Sequence, residues 1–204
     1  MAPTLHEIAS AQEPGRDETS SVTFRLQGGG FSAIRELDQS EQVDFERGWS
    51  VGTGLGYQIN RCLALRGNVA FARATLRDRR SPGTLQGQPG MNGLEYNRVF
   101  YDADLQLRYP SESGFSPYIF AGGGAITVDQ DRDGNLFDGD PGRDHFTKGA
   151  GKVGLGVNYR IANSPVELYA EGTGWIYNWD RNGFDRTQFD TTWDGGIAFR
   201  FGGR

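Results

Sequence analysis

A single cysteine, Cys62, stands in the 204 residues of this chain. That excludes an intramolecular disulfide framework and any multi-cysteine metal centre. Histidine is nearly as scarce: His6 and His145 are the only two. Nucleophilic catalysis built on a histidine base therefore has little to draw on. No apolar run is long enough for a membrane-spanning helix, and the mean hydropathy is −0.57. Positive charge is not in excess either. Lys plus Arg is 21 against 26 for Asp plus Glu, the net charge is −5, and the signs are interspersed. Nothing in that balance points to a nucleic-acid partner. A complete signal peptide is also missing from the start, since Met1 to Ser20 is polar and has neither a basic leader nor an apolar core. Residues 1–19 read as a disordered tail. Within it Ala9-Ser10-Ala11 has the small-x-small form of a secretory cleavage site, as a signal-peptide remnant or by chance.

What is abundant is glycine, at 31 residues, together with aromatics at 12%. The last stretch gives these a pattern. Phe189, Thr191, Trp193, Gly195, Ile197, Phe199 and Phe201 alternate strictly with Asp190, Thr192, Asp194, Gly196, Ala198 and Arg200. Successive side chains of a strand point to opposite faces, so one face is greasy and the other charged. The pattern recurs. It predicts strands near residues 20–36, 44–59, 62–77, 96–109, 116–128, 146–161, 165–179 and 188–201. Tight connections fall near Asn60-Arg61, Pro110 to Phe115 and Ala162 to Ser164. Looser ones fall near Asp38 to Val43, Arg77 to Glu95, Asp129 to His145 and Asp180 to Thr187. An even strand number, short turns at one end and longer loops at the other are the marks of a small transmembrane β-barrel. The predicted fold is all-β: an eight-stranded antiparallel up-and-down transmembrane barrel over residues 20–204. Its short turns and both termini would be periplasmic and its longer loops extracellular.

The apolar faces, such as Leu63, Leu65, Val69 and Phe71, or Val153, Leu155, Val157 and Tyr159, are assigned to lipid. The opposite faces carry six cations (Arg25, Arg66, Arg108, Lys152, Arg160, Arg200) and six anions (Asp102, Asp104, Glu167, Glu171, Asp190, Asp194). The lumen of eight strands is just wide enough for side chains to fill. Buried charge there has to be paired. A neutral set predicts a salt-bridged plug, and glycines 52, 54, 56, 154, 156 and 196 leave room for the long side chains. The segment Pro117 to Val128 is apolar or glycine on both faces and assigns neither. Tyr57, Tyr109, Tyr159, Phe199 and Phe201 suit an interfacial girdle near the short turns. Phe71, Phe120, Trp175, Tyr177, Trp179, Phe189 and Trp193 spread through the middle and the loop end.

Three segments carry a family likeness. Ser116-Pro-Tyr-Ile-Phe-Ala-Gly-Gly-Gly-Ala125 resembles the strand that opens with Pro-Tyr in OmpA/OmpX-type and opacity-type outer-membrane proteins. Lys152-Val-Gly-Leu-Gly-Val-Asn-Tyr-Arg160 is similar to the Gly-rich strand that follows it. Ile197-Ala-Phe-Arg-Phe201 resembles the C-terminal signal strand read by the barrel-assembly machinery, although Gly202-Gly203-Arg204 follow here. The resemblance spans about residues 20–201. It implies an integral outer-membrane location among outer-membrane lipid and lipopolysaccharide. Members include structural anchors, adhesins, small pores and a few lipid-modifying enzymes, so fold leaves function open.

The sharpest local motif is Asp129-Gln-Asp131-Arg-Asp133-Gly134-Asn135-Leu-Phe-Asp138-Gly-Asp140. Asp at positions one, three and five, then Gly at six, opens a Ca²⁺ loop, because the hard ion takes several carboxylate and carbonyl oxygens. Asp129, Asp131, Asp133, Asn135, Asp138 and Asp140 are the candidate ligands, and a solvated acidic loop is the alternative. No catalytic set is assigned: His145 reads as a rim residue, and Asp102/Asp104 and Glu167/Glu171 read as salt-bridge partners rather than acid–base pairs. Arg77, Arg79 and Arg80 could meet lipopolysaccharide phosphates. The expected function is a non-enzymatic outer-membrane barrel with a structural or surface-interaction role. The alternatives are a small pore, a lipid-acting barrel enzyme, and a soluble lipocalin-like carrier with its faces reversed.

Overall fold

The computed structural model describes residues 20–33, 43–45, 47–78, 95–109, 111, 113–131, 145–181 and 184–202. The expected tail at residues 1–19 lies outside them. Nine strand segments follow one another: β1 (Ser21–Ala33), β2 (Val43–Phe45), β3 (Gly48–Gln58), β4 (Leu63–Asp78), β5 (Glu95–Arg108), β6 (Phe115–Asp131), β7 (His145–Arg160), β8 (Val166–Arg181) and β9 (Phe184–Phe201). β1, β3, β4, β5, β6, β7, β8 and β9 pair in that order, and β9 returns to β1. The result is a closed, antiparallel, eight-stranded up-and-down barrel. Closure leaves no unpaired edge among the eight. The short β2 pairs with β4 (Phe45 opposite Leu76) as an extension of the β3–β4 ladder, which resumes at Trp49 opposite Arg73. Four residues advance on one side against three on the other, so a bulge-like slip divides the single strand expected over 44–59.

The turns at one end are short. Asn60 organises the first of them: its Oδ1 accepts from the backbone N–H groups of Cys62 and Leu63 at 2.9 and 2.8 Å. Ser164 Oγ likewise accepts from Val166 N–H at 3.1 Å after β7, next to Asn163 in the left-handed region at φ 58°. Asn tolerates that conformation better than most residues. At the other end one expectation needs correcting. The predicted loose connection from Asp180 to Thr187 is a ladder that continues to Arg181 opposite Phe184. Only Asn182-Gly183 lies between, the dipeptide best suited to a two-residue hairpin.

Gly124 shows why one inward position has no side chain. A Cβ there would lie 1.8 Å from the Tyr101 carbonyl oxygen on β5. Gly124→Ala is expected to break local β5–β6 pairing and to lower the urea midpoint of the refolded barrel. Gly149→Ala, on the same sheet with nothing within 4 Å, serves as the silent control.

The face assignments hold around the barrel. Leu55, Leu65, Val69, Leu105, Leu107, Val153, Leu155, Leu168, Trp193 and Ile197 are exposed on the outside, whereas Arg66, Asp104, Lys152, Glu167, Glu171, Asp190 and Asp194 are buried within. An apolar outside around a charged inside excludes the soluble carrier with reversed faces. No helix among the described residues is long and apolar enough to cross a membrane; the strands do that here.

Candidate functional site: the charged lumen

The inward face builds three tiers. The middle tier begins with register. Arg66 on β4 stands directly opposite Asp104 on β5, and Asn68 opposite Asp102. Arg66 grips Asp104 bidentately, Nε to Oδ1 at 2.6 Å and Nη2 to Oδ2 at 3.0 Å. Its remaining Nη1 crosses the lumen to Glu171 Oε2 at 3.0 Å. β4 and β8 face each other around the ring, so this pair spans the diameter. Arg25 Nη2 and the Tyr118 hydroxyl donate to the same Glu171 oxygen at 2.8 and 2.9 Å. Lys152 Nζ joins Asp102 and Asp104 at 2.7 and 2.9 Å, and Asn68 Nδ2 donates to both carboxylates. Each anion of this tier thus has at least two donors, the condition under which buried charge is tolerated.

The tier nearest the short turns centres on Glu167. Arg200, Arg160 and Arg108 approach it at 2.6, 3.3 and 3.9 Å. The Arg160 side chain is 51% exposed and sits at the mouth. The upper tier is more apolar. Arg98 Nη1 reaches Asp190 Oδ2 at 2.7 Å, again from a strand facing its partner across the ring, and the Tyr177 hydroxyl donates to the same oxygen at 2.9 Å. Around this pair Phe31, Phe100, Ile126, Val128, Phe146 and Trp175 form a buried cluster. Phe100 packs on Trp175 with ring centroids 4.7 Å apart. Between the tiers Ser50 Oγ donates to Asp194 Oδ1 at 2.6 Å.

All twelve expected inward charges lie on the lumen face. The expected list omitted Arg98 and Lys148. Both hold the inward parity of their strands, two and four residues beyond Phe100 and Lys152 toward the loop end. Extending the alternation further along each strand would have found them. Of the aromatics spread through the middle and the loop end, Phe120, Trp175 and Tyr177 are buried inside the barrel, whereas Trp193 is exposed on the outer wall. Glycines opposite the inward rings explain the fit. A Cβ on Gly154 would meet the Phe120 ring at 2.2 Å, one on Gly156 the Tyr118 ring at 2.5 Å, and one on Gly196 the Tyr169 ring at 2.7 Å. The expected space is real, and rings take up much of it. The cations then lie over those rings: Arg66 is 4.3 Å from the Phe120 centroid and Arg25 3.8 Å from that of Tyr169. Gly154→Val is expected to force Phe120 off its site and cost about 1–3 kcal/mol by overpacking. Urea unfolding read by gel mobility without boiling measures it.

The acidic motif is only partly within the described residues. Asp129 and Asp131 are strand residues at the end of β6, opposite Asn97 and Glu95. Asp133, Asn135, Asp138 and Asp140 lie outside the described residues, as do Arg79, Arg80 and His6. Among the described residues no group of three or more His, Cys, Asp or Glu side chains gathers as for a metal ion. His145 opens β7 opposite Asp129. The paired carboxylates Asp102/Asp104 and Glu167/Glu171 are engaged by cations, as expected of structural partners.

Taken together, a closed barrel, an apolar exterior and a paired charged interior define a transmembrane β-barrel protein. Over residues 8–201 the sequence matches the family described as outer membrane protein beta-barrel domain. The chain belongs to that family and is an integral protein of the bacterial outer membrane. It is similar in fold to Neisserial surface protein A, with 16% identity and a TM-score of 0.58, covering 89% of this chain and 97% of that one. A major outer membrane protein from Thermus thermophilus gives a TM-score of 0.51 at 11% identity, over 90% and 100% of the two chains. The N-terminal barrel domain of Pseudomonas aeruginosa OprF covers 89% and 97% at 16% identity with a TM-score of 0.48. No curated protein sequence matches the chain.

Proposed function

We propose that this protein is a non-enzymatic barrel with a structural or surface-interaction role, its lumen closed to solutes by the tiers of ion pairs and rings. The observation that carries this reading is the pair of diametral bridges, Arg66–Glu171 and Arg98–Asp190, with buried aromatic and aliphatic side chains around the upper one. Side chains that span the diameter at two levels, the upper one among buried rings, favour a closed lumen over a continuous aqueous path. The engagement of the lumen carboxylates also supports it: every described inward carboxylate has a cation or hydroxyl partner in place of a substrate-facing opening. The partners under this reading are outer-membrane lipid and lipopolysaccharide, with the assembly machinery engaging the C-terminal strand. Single-channel recording of the refolded barrel in a planar bilayer is expected to show no steps. Regular conductance steps that persist after several preparations overturn the closed lumen in favour of a small pore.

A Ca²⁺ site in the acidic loop belongs to the same reading. Its support is the Asp-x-Asp-x-Asp-Gly spacing from Asp129 to Gly134. Millimolar Ca²⁺ is expected to raise the unfolding midpoint, since an ion that binds only the folded state stabilises it by about 2.7 kcal/mol at hundredfold excess over Kd. Asp131→Ala with Asp133→Ala should remove the shift, and Mg²⁺ should give much less of it. A shift equal for both ions, or unchanged in the double variant, means charge screening alone.

A further inference from the structure

β1 and β9 are the one neighbouring pair in the ring that no connecting segment joins. Elsewhere a turn or loop keeps paired strands close when their hydrogen bonds open. At this seam only the contacts themselves do so. Its lumen side has a particular build. Gln27 on β1, Gly196 on β9 and Tyr169 on β8 share one rung of register. On the next inward rung toward the short turns, Arg25, Ala198 and Glu167 do the same. The last strand thus places small residues on both rungs, and side chains of β8 and β1 meet over it.

They meet in two ways. Tyr169 passes over Gly196, and its hydroxyl donates to the Leu26 carbonyl oxygen on β1 at 3.1 Å. A Cβ on Gly196 would lie 2.1 Å from that same oxygen and 2.7 Å from the Tyr169 ring, so glycine is what leaves the path open. In the other direction Arg25 of β1 lays its guanidinium 3.8 Å from the Tyr169 ring centroid and bridges Glu171 of β8 at 2.8 Å. Arg25, Tyr169 and Glu171 are all buried, so bulk water does not compete for these contacts. We propose that Tyr169, with Glu171 beside it, is a clasp that fastens the first strand to the penultimate one and locks the closing seam.

To part β1 from β9 the barrel must break the ladder between them and also release Arg25 and Leu26 from β8. The clasp therefore guards the one place where the wall can open sideways, from lumen to bilayer, without stretching a connection. Tyr169→Phe tests it, because the ring and its stack on Arg25 stay while the hydroxyl goes. Tyr177→Phe is the control: it too removes a buried hydroxyl from β8, but that bond runs to Asp190 on β9 and does not cross the seam. Both full-length variants are refolded in detergent micelles, and backbone hydrogen–deuterium exchange is followed by mass spectrometry. Tyr169→Phe should speed exchange in peptides from β1 and β9 about fivefold, the factor for one hydrogen bond of about 1 kcal/mol, through local opening of the seam. Peptides from β4 and β5 should keep the wild-type rate, and so should β1 in Tyr177→Phe. A rise shared equally by β4 and β5, no rise at all, or the same rise in β1 from Tyr177→Phe overturns the clasp.

Discussion

Leu155→Arg is expected to lower the stability of the barrel in lipid by about 2–4 kcal/mol, the cost of an arginine near the bilayer midplane on the outer face of such a barrel. Leu155 sits mid-wall on β7 between Ile119 on β6 and Gly172 on β8, and it is 64% exposed. A guanidinium there has no lumen to turn into, because strand parity holds it outward. Leu105→Arg on β5 should behave alike. Tyr109→Arg, at the short-turn end where the side chain is half wet, should cost under about 1 kcal/mol. Depth dependence is therefore the signature, and equilibrium urea unfolding in vesicles reads it. Equal, small costs at all three positions would refute the lipid-facing assignment.

Glu171→Ala should be at least as damaging, by about 3–5 kcal/mol, for the opposite reason: it strands charge in the interior. Arg66 keeps its bidentate grip on Asp104, but Arg25 loses the carboxylate that it bridges. The Tyr118 hydroxyl loses its acceptor as well. A companion variant separates the causes. Adding Arg25→Leu to Glu171→Ala should recover part of the loss, since the penalty lies in the abandoned cation more than in the missing bond. A double-mutant cycle of urea midpoints gives the coupling energy. If the second substitution instead adds its full cost to the first, the two residues act independently and the bridge is not the source.

Strand parity made most of this molecule readable from residue order. β9 and β4 separate cleanly because their inward residues are charged or small and their outward ones large and apolar. β6 does not. Tyr118 and Phe120 point in while Ile119 and Ala121 point out, so both faces are apolar and alternation carries no contrast. The reason lies on the neighbouring strand: Gly154 and Gly156 on β7 leave ring-sized gaps, and a cation lies over the rings. Such complementarity belongs to two strands at once and cannot be read along one. The same limit hid the upper aromatic cluster, where Phe100 and Trp175 meet only after the sheet has closed. The Arg66–Asp104 pairing is a matter of register and was half visible as balanced charge. Arg66 reaching Glu171 depends on barrel geometry, which charge balance does not specify. Asn182-Gly183, by contrast, is a local signal that resolves the β8–β9 connection as a tight hairpin.

The closing seam joins the first and last barrel strands, from Val22 opposite Phe201 to Ala33 opposite Asp190. Those are the contacts most distant in sequence, and ordering the chain between them is entropically costly until they form. Before the seam closes, β1 and β9 each present an open row of backbone donors and acceptors, and Arg25 on β1 sits at that edge. Closing the seam also brings Arg25 to Glu171, whereas Arg66–Asp104 joins neighbouring strands and needs no closure. A chain stopped short of β9 would offer two complementary free edges to its neighbours. Head-to-tail strand exchange between such chains, rather than a smaller barrel, is the form its misassembly would take.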